Sequence, residues 1–105
     1  MRITFLGTGT SYGAPMPGCD CAVCRSPDPR DRRFRTAILV EAAGRTLLID
    51  TPPDLRSQCL RQNIRRIDGV LMTHAHADHV FGFDDLRAFT NRMPEPMPVW
   101  ASPGT

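Results

Sequence analysis

The three histidines of this chain all fall within residues 73–79, together with an aspartate. Neutral imidazole and carboxylate groups are ligands that borderline divalent metals such as zinc prefer. The candidate ligands are His74, His76, Asp78 and His79. In a strand, the first three would share one face and His79 would point the other way, whereas in a helix His74 and His76 would diverge by about 200°. Neither regular element gathers all four groups, so we predict a tight loop at the end of a strand.

The residues just before this motif predict the strand that carries it. Residues 69–72 are apolar and are typical of a buried strand that leads into the loop. Such a loop can direct one pair of ligands at one metal ion and the next pair at a second ion. A histidine-rich surface tract is the alternative interpretation, but four ligand-type residues in so short a frame favour a metal site.

A second group of candidate ligands lies nearer the N-terminus, in the C-x-C-x-x-C run of Cys19, Cys21 and Cys24. Three thiolates so close in sequence suit a structural zinc site, which needs a fourth ligand. That ligand is left open between Cys59 and a histidine beyond residue 105. A disulfide between cysteines one or two residues apart rarely meets the required geometry. Free buried thiols and a redox role for the C-x-x-C pair stay as alternatives.

With these two motifs the chain resembles the metallo-β-lactamase-fold superfamily of metal-dependent hydrolases, which carries the H-x-H-x-D-H motif. The cysteine cluster makes it similar to the branch that contains the cyclic phosphodiesterase of the phosphonate pathway, where such a cluster binds a structural zinc. Pyrroloquinoline-quinone biosynthesis B proteins carry a similar cluster, and tRNA 3′-processing endonucleases share the histidine motif. The resemblance implies an α+β fold of the αββα sandwich class. Residues 1–105 would form its N-terminal half, a mixed β-sheet with flanking short helices.

The resemblance also implies an activity and a set of site residues. The expected function is a metal-dependent hydrolase, foremost a phosphodiesterase that acts on a small phosphodiester through a metal-bridged hydroxide. Its cofactors would be two divalent ions, zinc or manganese, at the histidine loop and one structural zinc at the cysteines. Asp78 would also hold the hydroxide in line for attack. Asp50, which follows a predicted strand, would support the ligand loop from behind, and a turn or helix N-cap role is its alternative.

The family resemblance further implies that the site is shared between two halves of a domain. Since the remaining ligands come from the second half, the chain is expected to be truncated relative to the complete fold, with neither active-site metal fully held. An RNA, lactone or thioester substrate is left open within the superfamily. A non-catalytic zinc protein is the alternative from a different class, and completion of the site by another chain is a further one.

Apolar patterns and turn residues predict the elements around these motifs. Strands are expected at residues 3–6, 36–41, 45–49 and 99–101, and helices at residues 54–63 and 84–90. Leu55 and Cys59 lie four residues apart and would share the buried face of the first helix, which favours a core role for Cys59. Asp84 and Asp85 are explained by the first turn of the second helix better than by metal binding.

Composition and charge set broad limits on partners and location. A chain of 105 residues is at most one domain. Its net charge of +2 is too small by itself to indicate nucleic acid or a membrane surface, so nucleic acid and an oligomer are left open. No apolar run approaches the roughly 18 residues of a membrane span, and the N-terminal apolar run is too short for a signal peptide. We therefore expect a cytoplasmic protein with reduced thiols.

Arginines cluster in one segment, where five of them lie between residues 25 and 35 among prolines and aspartates. Prolines and charges at this density predict an exposed loop. Arginine is suited to bidentate contact with phosphate, so a substrate-binding role is open. A solvated connector that is paired with its own aspartates is the interpretation we favour from the sequence.

Overall fold

A computed structural model describes the chain over residues 1–105. Its strands and helices, in chain order, are β1 (Arg2–Gly7), β2 (Ala37–Ala42), β3 (Arg45–Ile49), α1 (Leu55–Arg61), β4 (Gly69–Leu71), α2 (Ala77–Val80), α3 (Arg87–Thr90) and β5 (Val99–Trp100). Short 3₁₀ turns lie at Pro29–Asp31 and Phe83–Leu86. No helix is long and apolar enough to reach across a bilayer.

The strands form one mixed sheet in the order β1-β2-β3-β4-β5. The first three strands pair antiparallel, and β4 and β5 join parallel to β3 and to each other. A two-residue turn joins β2 to β3, with Ala43 at φ 51° and Gly44 at φ 70°. Positive φ at both positions is the pattern of tight hairpin turns whose twist matches the strands. The expected mixed α+β architecture with short helices is confirmed.

Helix α1 crosses from β3 to the parallel strand β4 and packs its apolar side on the sheet. Leu55 and Cys59 are both buried, as predicted, at 0% and 9% exposure. The helix ends earlier than expected because Asn63 adopts φ 51°. The N–H of Asn63 donates to the carbonyl of Leu60 at 3.2 Å and that of Ile64 to the carbonyl of Cys59 at 2.9 Å. This pair of bonds is the Schellman ending, in which a residue after the helix turns left-handed.

The remaining elements differ modestly from the sequence prediction. The second strand is Ala37–Ala42 rather than residues 36–41, and the last strand is Val99–Trp100 rather than residues 99–101. The helix expected at residues 84–90 is a 3₁₀ turn, Phe83–Leu86, that continues into the single α-helical turn of α3.

Only one face of the sheet carries the core. Leu39, Leu48 and Val70 point to that face and lie at 5%, 0% and 0% exposure. They belong to a cluster of 11 buried apolar residues that includes side chains from α1 and from the segment around α3. Only 18 of the 105 residues are buried, so the hydrophobic core is small and one-sided.

The opposite face of the sheet is apolar but uncovered. The strand register aligns one row of side chains across all five strands, made of Phe5, Ile38, Ile49, Leu71 and Trp100. Of these, Phe5 is 64% and Trp100 is 53% exposed. We refer to this row and its apolar neighbours as the open sheet face. An exposed apolar patch of this kind is typical of a surface that packs against another layer of protein.

Candidate metal centres

The histidine loop follows β4 and is fastened to the segment that follows β3. Because these two strands are parallel, their carboxyl ends meet at the same edge of the sheet. The backbone N–H of Thr51 donates to the carbonyl of His79 at 2.8 Å, and the N–H of Gly82 donates to the carbonyl of Thr51 at 2.8 Å. These bonds fix the second half of the motif against the residues just after β3.

Gly82 allows this close approach. A Cβ at this position would lie 1.9 Å from the carbonyl oxygen of Pro52 and 3.0 Å from that of Thr51. No side chain fits at such distances, so a glycine is needed for the ligand segment to lie against the β3 end. The sequence reasoning missed this role, although the glycine falls only three residues after His79.

Asp50 is the central hydrogen-bond acceptor of the site. It is 3% exposed and has the left-handed φ of 66°, uncommon for a residue other than glycine. Its carboxylate accepts bonds from the backbone N–H of Thr73 at 2.8 Å and from the Thr73 hydroxyl at 2.7 Å. The Nδ1 atom of His79 lies 2.7 Å from the same carboxylate. Strained backbone of this kind clusters at functional sites. Asp50 has no helix N-cap role, because that position of α1 is Asp54.

The bond from Asp50 determines which nitrogen of His79 faces outward. A carboxylate at neutral pH has no proton to give, so Nδ1 of His79 must carry the hydrogen. In the neutral imidazole the lone pair is then on Nε2, and this nitrogen lies 3.2 Å from the Oδ2 atom of Asp78, a contact at which a doubly protonated ring would donate a hydrogen bond instead. An imidazole whose other nitrogen donates to a carboxylate is the usual arrangement of a metal-binding histidine.

The other two imidazoles stand next to His79. The ring of His74 lies 4.0 Å from that of His79 and 4.7 Å from that of His76, measured between centroids. The Thr73 hydroxyl, which donates to Asp50, lies 2.9 Å from Nδ1 of His74. Thr73 thus links Asp50 to His74, whereas Asp50 contacts His79 directly. Sequence reasoning did not assign this role to Thr73, although it immediately precedes His74.

The motif is only in part the loop that we expected. His74 and His76 lie in irregular backbone after β4, but Asp78 and His79 belong to the single turn of α2. The backbone N–H of His79 donates to the carbonyl of His76 at 2.9 Å. This helical turn brings the Asp78 and His79 side chains together, which an extended strand would not do.

The donor chemistry of the histidine loop suits a divalent metal ion, but its four ligand atoms do not converge as those of the cysteine cluster do. Three imidazoles and a carboxylate lie at one edge of the sheet, and the His79 ring is already oriented by a buried carboxylate. Protonated imidazoles at these ring spacings would repel one another, whereas a shared cation would hold them. The measured approach is pairwise, with Asp78 and His79 as the closest donors.

At the cysteine cluster three donors converge. The sulfurs of Cys19, Cys21 and Cys24 all lie within 4.8 Å of one another, and all are free thiols. Two of these sulfurs accept backbone hydrogen bonds. The N–H of Met16 donates to the sulfur of Cys24 at 3.3 Å, and the N–H of Cys24 donates to the sulfur of Cys21 at 3.4 Å. This arrangement also fits zinc, for which three thiolates and one more ligand are a common structural set.

Thiol acidity differs between this cluster and the core. The bond from the N–H of Cys24, with smaller help from the neighbouring thiols, lowers the pKa of Cys21 to about 7. Burial raises the pKa of Cys59 to about 11, with a smaller contribution from the charge of Asp85. A thiolate is the form that binds metal. Cys59 lies in the hydrophobic core and outside the sulfur cluster, so the core role predicted for it is confirmed.

The acidic pair after the motif serves the helix rather than the site. Asp84 forms an ion pair with Arg87 at 2.8 Å, three residues along the chain. Asp84 and Asp85 both lie in the first turn of the 3₁₀ segment before α3. This matches the structural role expected for them from the sequence.

Comparison with known proteins gives a family match across the histidine loop. Residues 45–105 match the family model described as a beta-lactamase superfamily domain. A ribonuclease Z from Bradyrhizobium diazoefficiens is 36% identical over 107 residues, which is 98% of this chain and 30% of that protein. An octanoyltransferase from Porphyromonas gingivalis is 53% identical over 88 residues, which is 83% of this chain and 18% of that protein.

Solved structures give the same picture of the fold. A crystal structure described as a new diphosphatase from the PhnP family superposes with a TM-score of 0.81 at 53% identity, and covers 84% of this chain and 35% of that one. Zinc-bound PqqB from Methylobacterium extorquens superposes with a TM-score of 0.81 at 28% identity, and covers 98% and 38% of the two chains. The chain therefore spans less than two fifths of the length of each of these four relatives.

Proposed function

The chain belongs to the beta-lactamase superfamily, within its metallo-β-lactamase-fold hydrolases, and we propose that it carries the first ligand loop of a metal-dependent phosphodiesterase. His74, His76, Asp78 and His79 are the proposed ligands of two divalent ions, zinc or manganese. Cys19, Cys21 and Cys24 are the proposed ligands of a separate structural zinc. Zinc is favoured because zinc-bound PqqB and zinc phosphodiesterases are among the relatives of this chain.

One observation carries this proposal, namely the line of contacts from Asp50 through His79 to Asp78. The buried carboxylate of Asp50 holds Nδ1 of His79 at 2.7 Å, and the opposite nitrogen meets Asp78 at 3.2 Å. In the neutral form of His79 the Nε2 lone pair faces a second carboxylate, and a divalent cation between the two groups would satisfy both. The same Asp50 also fixes Thr73 and through it the start of the motif, so one buried charge organises both ends of the loop.

The chemistry follows from what each group supplies. A bound divalent metal supplies Lewis acidity, which activates water and stabilises the charge that develops on phosphate oxygens. Asp78 combines two roles in this proposal, as a ligand and as the acceptor that holds the attacking water in line. Asp50 keeps His79 in the tautomer that leaves Nε2 available, while the backbone bonds of Thr51 and Gly82 keep the loop from shifting.

A phosphodiester is the proposed substrate class, and a small one is our first choice. Support comes from the names of two relatives, a PhnP-family diphosphatase and a ribonuclease Z, since both enzymes cleave bonds at phosphorus. RNA is the second candidate, because the ribonuclease Z match extends over 98% of this chain.

Clustered free thiols that are suited to metal favour a reducing compartment, the cytoplasm, as the proposed location.

We further propose that residues 1–105 act as the N-terminal half of the domain, with a second sheet on the open sheet face. The row that runs from Phe5 to Trp100 is apolar and uncovered, and the donors of the histidine loop meet pairwise rather than as a closed set. Trp100 is the only tryptophan and lies on this face. We expect its emission to shift to shorter wavelength when a covering layer is supplied, either as a longer form of the gene product or as a second chain. An unchanged emission spectrum in an active longer form would contradict this arrangement.

The proposed function is tested by metal content and hydrolysis of a chromogenic phosphodiester, measured on this chain and on any longer form of the gene product. In the active form, His76→Ala should abolish hydrolysis while the zinc at the cysteines is retained. Cys21→Ser should lose that zinc and mainly lower the melting temperature. Cys59→Ser serves as the matched control, since its buried thiol is outside the cluster, and it should keep all metal. Equal activity in wild type and His76→Ala would sink the catalytic proposal and favour a non-catalytic zinc protein.

A further inference from the structure

Behind the cysteine cluster, the arginine-rich segment forms one wall of a groove of about 760 Å³. We call it the arginine groove. The lining residues that bear on its chemistry are Arg25, Asp31, Arg32, Arg33, Phe34 and Arg61. None of the proposed active-site ligands is among them, so the groove is a separate surface.

Charge in this groove is far more concentrated than the net charge of the chain indicates. Four arginines line it against a single carboxylate, that of Asp31. Five arginines form ion pairs, and none of them lines the groove: Arg2, Arg30, Arg35, Arg66 and Arg87. From the sequence we favoured a solvated connector whose arginines pair with its own aspartates. In the structure, only Arg30 forms such a pair, with Asp28. The four groove arginines are exposed and form no ion pair. Arg33 donates through Nε to the carbonyl of Arg30 at 3.3 Å, which leaves its terminal nitrogens for an anionic ligand.

The backbone beneath these arginines is held in place. Ala14 and Arg33 exchange two backbone hydrogen bonds, at 2.9 and 2.8 Å. The N–H of Arg32 donates to the carbonyl of Pro29 at 3.2 Å, and the N–H of Arg25 donates to that of Cys21 at 3.0 Å. Charged side chains on a fixed backbone lose less conformational freedom when they bind than those on a mobile loop.

A different contact within the groove suits a flat ring. The guanidinium of Arg61 lies over the ring of Phe34, 6.0 Å from its centroid. An arginine plane beside an aromatic ring is a surface on which nucleobases stack. The remaining arginines, with their forked donors, match the oxygens of phosphate groups. Phosphate contacts beside a stacking surface are the chemistry of a nucleotide chain.

We propose that the arginine groove binds the backbone of a single-stranded nucleic acid, with phosphates at Arg25, Arg32 and Arg33 and a base at Arg61. Its concave shape fits a strand better than the flat surface of a bilayer. The proposal concerns binding alone and does not depend on the proposed hydrolysis, because the groove shares no residue with the histidine loop.

The test is binding of a short fluorescein-labelled oligouridine, followed by fluorescence anisotropy between about 50 and 200 mM salt. Binding to single strands falls with a slope of about −0.7 per phosphate contact in a plot of log affinity against log salt, so three or four contacts predict a slope of roughly −2 to −3. Replacing Arg25, Arg32 and Arg33 together by glutamine should reduce the magnitude of the slope to about 0.7 or below. The same variant should weaken binding at least ~10-fold at low salt.

A matched control separates the groove from overall charge. Replacing Arg45, Arg56 and Arg65 by glutamine removes the same charge from three exposed arginines that lie outside the groove and outside the ion pairs. The control should keep the wild-type slope. Circular dichroism monitors folding, and if the triple groove variant does not fold, each single substitution should reduce the slope by about 0.7.

Three results would overturn the proposal. One is no binding of the oligonucleotide by wild type at low salt. Another is equal weakening of binding in the control and groove variants, which would assign the effect to net charge. The third is binding to phosphatidylserine vesicles without binding to the oligonucleotide, which would make the groove a membrane contact instead.

Discussion

Asp50→Asn is the substitution that most directly tests how the histidine loop is organised. Asparagine is nearly the same shape and tolerates the left-handed φ of 66° at this position. Its oxygen can still accept the Thr73 N–H bond, but its amide nitrogen must then face Nδ1 of His79 in place of a carboxylate oxygen. Since an amide NH₂ donates, Nδ1 must become an acceptor. The proton of His79 is therefore expected to move to Nε2, where it blocks the lone pair that faces Asp78.

The size of the effect follows from the three bonds that Asp50 accepts. Exchanging charge-assisted bonds for neutral ones costs about 1 kcal/mol each, so we expect a loss of about 1 to 3 kcal/mol in the free energy of unfolding. Loss of a carboxylate that supports a metal-binding histidine typically lowers metal affinity about 10- to 100-fold. Asp50→Ala leaves Thr73 and His79 donors buried and unpaired, and should cost more stability than the asparagine variant.

Two measurements check this reasoning. Nitrogen-15 NMR of the imidazole reports which nitrogen of His79 carries the proton, and chelator competition in a Cys21→Ser background reports zinc affinity at the histidine loop. Asp54→Asn is a suitable control, because Asp54 accepts the Arg35 backbone N–H at 2.8 Å and pairs with the Arg35 guanidinium at 3.1 Å. It should lower stability without changing the His79 tautomer. If His79 keeps its proton on Nδ1 in Asp50→Asn, and zinc affinity is unchanged, the proposed role of Asp50 is wrong.

Three further substitutions test the frame around the site by urea denaturation. Gly82→Ala should cost about 1 to 3 kcal/mol or more, because its Cβ would lie 1.9 Å from the carbonyl of Pro52; unchanged stability would show that this contact is not tight. Ala43→Asn should stabilise by about 1 kcal/mol, because φ is 51° there and asparagine tolerates that region better, and a loss would refute the strain. At Asp68, burial raises the pKa, but the hydrogen bond from the Thr46 N–H and the charges of Arg66 and Arg45 outweigh it and lower the pKa from 3.8. Its stabilisation is therefore present above about pH 3.8 and lost as pH falls through the lower folded pKa, so Asp68→Asn should cost about 1 kcal/mol at pH 7 and progressively less in acid; a cost independent of pH would exclude this linkage.

Local sequence was sufficient to locate the strands and the first helix, although not the order in which the strands pair. Strand β3 has the predicted bounds, and the Ala43–Gly44 turn follows from a glycine between two apolar runs. Helix α1 was predicted in the right place because Leu55 and Cys59 lie one turn apart on one face. Its end was missed because the left-handed conformation of Asn63 is a property of a few hydrogen bonds, which periodicity does not report.

The interior of the candidate site was less accessible to sequence reasoning. The type and spacing of the histidines identified the ligand candidates, since donor chemistry is carried by residue type alone. The division of the motif between loop and helix depends on backbone bonds from the N–H of His79 to the carbonyl of His76 and from the N–H of Phe81 to the carbonyl of Ala77. The link from Asp50 to Thr73 spans 23 residues, and no local pattern predicts a contact at that separation.

The pairing of charges is a second property that the sequence alone does not predict. A chain with a net charge of +2 gives no reason to expect a polyanion, and the aspartates between the arginines suggest that the charges cancel locally. In the folded chain, however, Asp28 pairs with Arg30 and Asp54 with Arg35, whereas α1 adds Arg61 to the unpaired arginines of the groove. Cancellation therefore depends on which side chains the fold brings together, and four arginines without an ion pair meet in the groove beside Cys24.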